Sequence, residues 1–87
     1  MMRIYLRAKA QGIITGVNLG YAGSLTLGED YEGFEEGERI DVLNVNNGQR
    51  FTTYIIKGEG SEIILNGAAA RLGLPGDRVI ILAYEVR

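Results

Sequence analysis

Polar and apolar residues alternate over "RIYLRAK" (3–9), with Ile4, Leu6 and Ala8 on one face and Arg3, Tyr5, Arg7 and Lys9 on the other. A period of two is the signature of a strand with one face buried. The same reasoning makes strands of "IDVLNV" (40–45) and "RFTTYIIK" (50–57), and the "NNGQ" between them carries the Asn-Gly pair that favours a hairpin turn. Alternation along the second of these sets Arg50, Thr52 and Tyr54 on one side and Phe51 and Thr53 on the other. "EIILN" (62–66) and the long apolar "RVIILAYEV" (78–86) complete the strands. Only "GEDYEGF" (28–34) and "GAAARLG" (67–73) leave room for a turn or two of helix, each ended by glycine. The pattern predicts a mostly β fold with one or two short helices.

The pattern also repeats. Shifted by 39 residues, "LTLGEDYEGFEEGERIDVL" (25–43) lies without gaps over "ILNGAAARLGLPGDRVIIL" (64–82). Gly28 then meets Gly67, Gly37 meets Gly76, Arg39 meets Arg78 and Leu43 meets Leu82, and Glu38 meets Asp77. Each copy reads as a strand end, a short helix, a Gly-acid-Arg turn and a strand. Two copies of one such unit predict a pseudo-twofold barrel of interlocked halves.

Eighty-seven residues make one domain, 1–87, too small to hold a large core of its own. There is no cysteine to staple it, so oligomerisation is the expected remedy. With neither His nor Cys, Ser-His-Asp and Cys-His catalysis are excluded, and so are zinc sites built from those ligands. An enzyme of this composition needs Tyr, Lys or a carboxylate as acid and base, or a cofactor for the hard step. A formal charge of −2 argues against nucleic acid as a partner. No apolar run reaches membrane-spanning length, and the alternating N-terminus does not read as a signal peptide, so a cytoplasmic protein is expected. The charge is uneven: residues 1–23 hold Arg3, Arg7 and Lys9 and no acid, while 29–41 hold seven acids and one Arg. The acidic run reads as a solvated surface. The basic segment reads either as an exposed strand face or as the cationic wall of an anion site.

Four clusters are candidates for chemistry: Lys9, Gly23-Ser24, "RFTTY" (50–54) and "NGAAA" (66–70). Each has an ordinary structural reading. Gly-Ser is a common turn, Thr and Tyr are strand formers, Arg50 can pair with surface acids, and Asn66 can cap or turn. Read chemically, the start of the short helix at Gly67 offers backbone N–H groups that suit a developing oxyanion.

Taken together, "LRAK", "YAGS", "IDVLNVNNGQRFTTY", "ILNGAAA" and "GDRVIILAY" resemble the pyruvoyl-dependent aspartate 1-decarboxylases over nearly the whole chain. The hallmarks Y-x-G-S, N-G-x-R-F-x-T-Y and N-G-A-A-A occur in order. The resemblance implies a double-psi β-barrel and a chain that cleaves itself between Gly23 and Ser24 into 1–23 and 24–87. Ser24 Oγ would attack the Gly23 carbonyl, whose residue lacks a Cβ and tolerates the strained backbone this needs. The serine would end as a covalent pyruvoyl group, the cofactor. That group would form a Schiff base with L-aspartate and lead to β-alanine and carbon dioxide, for pantothenate and coenzyme A.

The resemblance also implies roles. Tyr54 protonates the product carbon, Thr53 assists self-cleavage, and Arg50 grips a substrate carboxylate with Lys9 adding charge. Asn66 and the backbone of Gly67, Ala68 and Ala69 steady the intermediate, and Tyr21 positions the cleavage site. A homotetramer with sites between subunits is implied as well. The chain departs from the family pattern at Gln11, where many members have His, at Leu43, where Trp is common, and at Leu27-Gly28 in place of Ile-Asp. Its first short helix is trimmed, and it stops near the end of the barrel, without the longer tail of many relatives. Two other readings stay open: a pyruvoyl decarboxylase for another acidic amino acid, and a non-catalytic double-psi barrel that binds a partner.

Overall fold

Residues 1–20 and 22–87 are described by a computed structural model. Its strands are β1 (Ile4–Ile13), β2 (Gly16–Asn18), β3 (Ser24–Gly28), β4 (Arg39–Asn44), β5 (Arg50–Gly58), β6 (Ile63–Asn66) and β7 (Arg78–Val86). A five-residue 3-10 helix, Gly67–Arg71, follows β6. The fold is mostly β, as the alternation predicts. Of the two segments with room for a short helix, the second forms one. In 28–34 the backbone donors are diverted: Tyr31 N reaches back to Gly28 O at 3.2 Å, but Asp30 N donates across to Gly60 O at 3.0 Å. The segment is a chain of turns.

Alternation missed β3 for a physical reason. Leu25 and Leu27 are fully buried on one face and Ser24 on the other, so both faces are covered and no contrast remains to read. The first strand needs a correction of phase. Ile4 and Leu6, expected to face the core, are 72% and 53% exposed. The β1–β7 register slips between Leu6 and Ala8, a bulge that resets the pleat, and only from Ala8 and Ala10 onward does β1 pack on the core. The hairpin forms, with β4 ending one residue early. Asn44 turns inward, is 2% exposed, and accepts from Asn46 N at 2.9 Å to shape the loop.

The strands form one sheet in the order β1-β7-β4-β5-β3-β6-β2. Its end strands β1 and β2 are separated by only Ile14 and Thr15. The chain itself therefore ties the two ends of the sheet together. The switch happens within a single peptide: Ile14 N donates to Asp77 O (2.9 Å), and Thr15 N donates to Ile63 O (2.8 Å). β5 makes the same switch, pairing β4 antiparallel through Tyr54 and β3 in parallel from Ile55.

The repeat is visible in these contacts. A shift of 39 carries the parallel pair Gly16↔Ile64 onto Ile55↔Leu25. It also superposes two turns. Glu38 N donates to Glu35 O and Asp77 N to Leu74 O, while the Glu38 and Asp77 carboxylates accept from Glu35 N (3.1 Å) and Leu74 N (3.0 Å). Gly37 (φ +80°) and Gly76 (φ +96°) take the left-handed conformation just before each acid, which is why glycine is kept in both copies. The two copies of the repeat thus carry matching pairings and matching turns.

The uneven charge is partly internal pairing. Arg7 of the basic strand donates to the Gly33 carbonyl at 2.7 Å and pairs with Glu38, so it fastens the acidic loop to β1. Among the described residues no helix is long and apolar enough to cross a membrane.

The Asp77 turn makes stability pH-dependent. Hydrogen bonds from the Asn44 amide (3.0 Å) and Leu74 N hold the Asp77 carboxyl below its ordinary 3.8. The folded-state pKa is the lower one, so as pH falls the unfolded chain takes up the proton first. The contribution is complete above the ordinary carboxylate range and is lost as pH drops through the folded pKa. Asp77→Asn is expected to flatten the acid limb of stability. Urea midpoints measured from about pH 6 to about pH 2 would show it, and equal slopes in the two proteins would remove Asp77 from the account.

Candidate functional site

β3 starts at Ser24, which is fully buried, and the residue facing it across the antiparallel ladder is Asn66, the last of β6. The Asn66 amide nitrogen donates to Ser24 Oγ at 3.0 Å and to Thr26 Oγ1 at 2.9 Å. Asn66 occupies the N-cap position of the 3-10 helix, yet its side chain makes no capping bond. Its amide is spent on β3 instead. The Ser24 hydroxyl reaches toward Ala22 O at 3.5 Å, the far limit of a hydrogen bond.

Gly23 opens on a cleft of about 290 Å³, walled by Phe51 to Tyr54 of β5 and by Ala68, Ala69 and Leu72 of the helix segment. The cleft thus brings together five of the residues singled out in the sequence: Gly23, Thr53, Tyr54, Ala68 and Ala69. Ser24 and Asn66 lie buried directly behind Gly23. Gly67 joins Asn66 to the helix and is buried. The Ala68 Cβ and backbone nitrogen stand 3.8 and 3.9 Å from the point where a Cβ on Gly23 would sit, so the helix start packs against Gly23. Tyr54 is 41% exposed, and exposure alternates along β5 from Arg50 to Ile55 as the sequence pattern requires.

Two expected members of the site lie elsewhere within this chain. Arg50 donates to Asp41 Oδ2 (3.2 Å) and to the Tyr84 hydroxyl (3.4 Å) on the outer face of β4, β5 and β7. Lys9 is exposed on β1, level with Leu82, Asp41 and Thr52 across successive strands. Three strand spacings put its Cα roughly 14 Å from that of Thr52. Tyr21, expected to position the cleavage site, lies outside the described residues.

Asp41 organises that outer face. It accepts from Thr52 Oγ1 (2.8 Å) and the Tyr84 hydroxyl (3.0 Å). The Thr52 bond, then those from Tyr84 and Arg50, hold its carboxyl below the ordinary value against the opposing pull of burial. Burial, followed by the hydrogen bond to Asp41 and then that residue's charge, raises the Tyr84 phenol. A hollow of about 410 Å³ beside it, lined by Arg39, Asp41, Tyr84 and Glu85 among others, contains none of the residues expected to react. The cleft at Gly23 is where the chemistry-bearing groups converge, despite its smaller volume.

Sequence reasoning missed Thr26, Asp41 and Tyr84. Thr26 was within reach of it: two residues beyond Ser24 on one strand, it shares Ser24's face. The partners of Asp41 come from β5 and β7, and no local pattern gives that meeting.

Fold and site define a mostly β protein in which a half-buried Gly23, joined to a buried Ser24, lines an open cleft. The chain belongs to the aspartate decarboxylase family, whose family model, described as Aspartate decarboxylase, matches residues 1–87. It is 57% identical over 88 residues to an Aspartate 1-decarboxylase of Pyrobaculum islandicum, covering 97% of this chain and 73% of that one. To the Aspartate 1-decarboxylase of a Thermotoga species it is 52% identical over 92 residues, covering 99% and 81%. To that of Bacillus cytotoxicus it is 52% identical over 90 residues, covering 97% and 71%.

Proposed function

We propose that this chain is a self-processing, pyruvoyl-dependent aspartate 1-decarboxylase that converts L-aspartate to β-alanine and carbon dioxide in the cytoplasm, on the route to pantothenate and coenzyme A. The observation that carries the reading is the buried Asn66–Ser24 hydrogen bond behind a cleft that Gly23, Thr53 and Tyr54 line. Relatives bearing the name at half identity or more supply the reaction class.

Self-processing uses this chain's own atoms. Ser24 Oγ bonds to the Gly23 carbonyl carbon, its proton passes to the Ser24 nitrogen, and the peptide C–N bond breaks to leave an ester. Loss of the Ser24 Cα proton with rupture of the Cβ–O bond then frees Gly23 as a carboxylate and leaves residue 24 unsaturated. Water enters and ammonia departs, giving a pyruvoyl group at the head of 24–87. The site fits that product, because Ser24 already faces an amide donor and is bonded to Gly23, which lines the cleft. When formed, the group supplies a carbonyl that takes up the electrons left by the departing carboxylate.

The chain's side chains do the rest. Thr53 assists cleavage, Tyr54 delivers a proton to the product carbon, and Asn66 with the backbone of Gly67 to Ala69 stabilises negative charge on oxygen. Arg50 binds a substrate carboxylate through its planar fork and Lys9 adds charge beside it. Since neither reaches the cleft of its own chain, both act on the cleft of a neighbouring copy in a homotetramer. Exposed Ile13 and the half-buried Leu43, Ile80 and Leu82 give the same outer face an apolar surface for that contact.

The test is an intact mass under denaturing conditions after incubation. Two chains, 1–23 and a pyruvoyl-headed 24–87, together with β-alanine formed from aspartate, are the expected result. A chain that stays whole through prolonged warming overturns spontaneous self-processing.

A further inference from the structure

The hydroxyl of Thr26 accepts the second proton of the same amide that holds Ser24. An amide has two N–H bonds in fixed directions, and here one goes to Ser24 Oγ (3.0 Å) and the other to Thr26 Oγ1 (2.9 Å). Asn66 is 2% exposed, so water does not compete for either. The bond to Ser24 is the one that orients the serine, since the contact from its own hydroxyl to Ala22 O is 3.5 Å. Whatever fixes the amide plane therefore fixes the direction of Ser24 Oγ.

We infer that Thr26 is a positioning residue for self-cleavage: its hydroxyl locks the Asn66 amide, which in turn aims Ser24 Oγ at the Gly23 carbonyl. The inference rests on the self-processing reading above and adds a residue to it. The fold supplies what such a lock needs. Threonine is stiff about χ1 because two heavy atoms branch from Cβ. Thr26 Cγ2 lies 2.6 Å from where a Cβ on Gly58 would stand, so a glycine on the neighbouring strand leaves the methyl its seat. With the methyl seated there, Oγ1 is turned to Asn66. Thr26 also lies on β3 between β6 and β5, opposite Ile64 and Ile56, so its backbone is held on both sides.

Packing and hydrogen bonding predict opposite orders of effect, which makes the inference testable. Thr26→Val keeps the branched shape and replaces the hydroxyl with a methyl. Thr26→Ser keeps the hydroxyl and loses the methyl. If Thr26 positions Asn66, the Val variant cleaves about ten- to a hundredfold more slowly than wild type, and the Ser variant stays within about threefold. If Thr26 only fills space beside Gly58, the Val variant matches wild type and the Ser variant is the slower one. Cleavage is followed by intact mass over time, with circular dichroism confirming that each variant is folded. Should Thr26→Val not fold, Thr26→Ala replaces it. Ser cleaving at least about tenfold faster than Ala supports the inference, and equal rates overturn it. Wild type in the same series separates the two layers of the argument. An uncleaved wild type brings down the self-processing reading and this inference with it, whereas a cleaving wild type matched by the Val variant brings down the inference alone.

Discussion

Ser24→Ala leaves a single uncleaved chain and no formation of β-alanine from aspartate above the solution background. The loss is complete rather than partial because one residue does two jobs that nothing else in the chain takes over. In the proposed mechanism its Oγ attacks the Gly23 carbonyl, and its Cα then becomes the carbonyl carbon on which decarboxylation depends. With no cysteine and no histidine in the sequence, there is no second nucleophile-base pair to substitute. The variant still folds. Removing the hydroxyl leaves one N–H of the Asn66 amide without its partner, at a cost of about 1–3 kcal/mol, well below the stability of an ordinary domain. Intact mass, a thermal melt and a carbon dioxide release assay on the same preparation check all three statements. Decarboxylation by an intact Ser24→Ala chain would move the electron sink away from position 24 and end the proposed mechanism.

How much of this was legible in the sequence depends on whether a residue's role is local. The hairpin at Asn47-Gly48, the outward set of Arg50, Thr52 and Tyr54, and the paired Gly-acid-Arg turns all follow from spacings of a few residues. They stand in the structure as read. The repeat carried further than any single element, because a 39-residue shift relates pairings as well as residues. Where a strand is covered on both faces, as β3 is, alternation has nothing to report. Where a bulge resets the pleat, as near Arg7, the pattern's phase misleads about Ile4 and Leu6. The site divides in the same way. "YAGS" and "NGAAA" lie 42 residues apart at Ser24 and Asn66, and only the β3–β6 ladder sets them face to face. Arg50 shows the opposite case: the family resemblance pointed to a substrate carboxylate, while in this chain it sits on Asp41 and Tyr84, the surface pairing that its residue type alone suggested. A substrate arriving at a neighbouring copy's cleft would have to compete with that internal carboxylate for the guanidinium.

Tyr54→Phe separates making the catalytic group from using it. Tyr54 lines the cleft from β5 at 41% exposure, so its ring is partly wet and loss of the hydroxyl creates no buried cavity. Phenylalanine keeps the ring and the strand propensity. Self-cleavage should therefore run at the wild-type rate, since Ser24, Asn66 and Thr53 are untouched. Turnover is another matter. A proton delivered in the transition state by a positioned side chain is worth roughly 10²- to 10⁴-fold, and kcat for aspartate is expected to fall within that range. KM should change little, because the lost interaction belongs to the proton transfer and the carboxylate grip proposed for Arg50 is untouched. Steady-state kinetics on fully cleaved protein, with cleavage first confirmed by mass, gives both numbers. A raised KM at unchanged kcat would make Tyr54 a binding residue. A wild-type kcat would leave water entering the cleft as the proton donor and assign the phenol no part in the reaction. The expected split, intact processing with slow turnover, is the pattern that neither a folding defect nor a simple binding role produces.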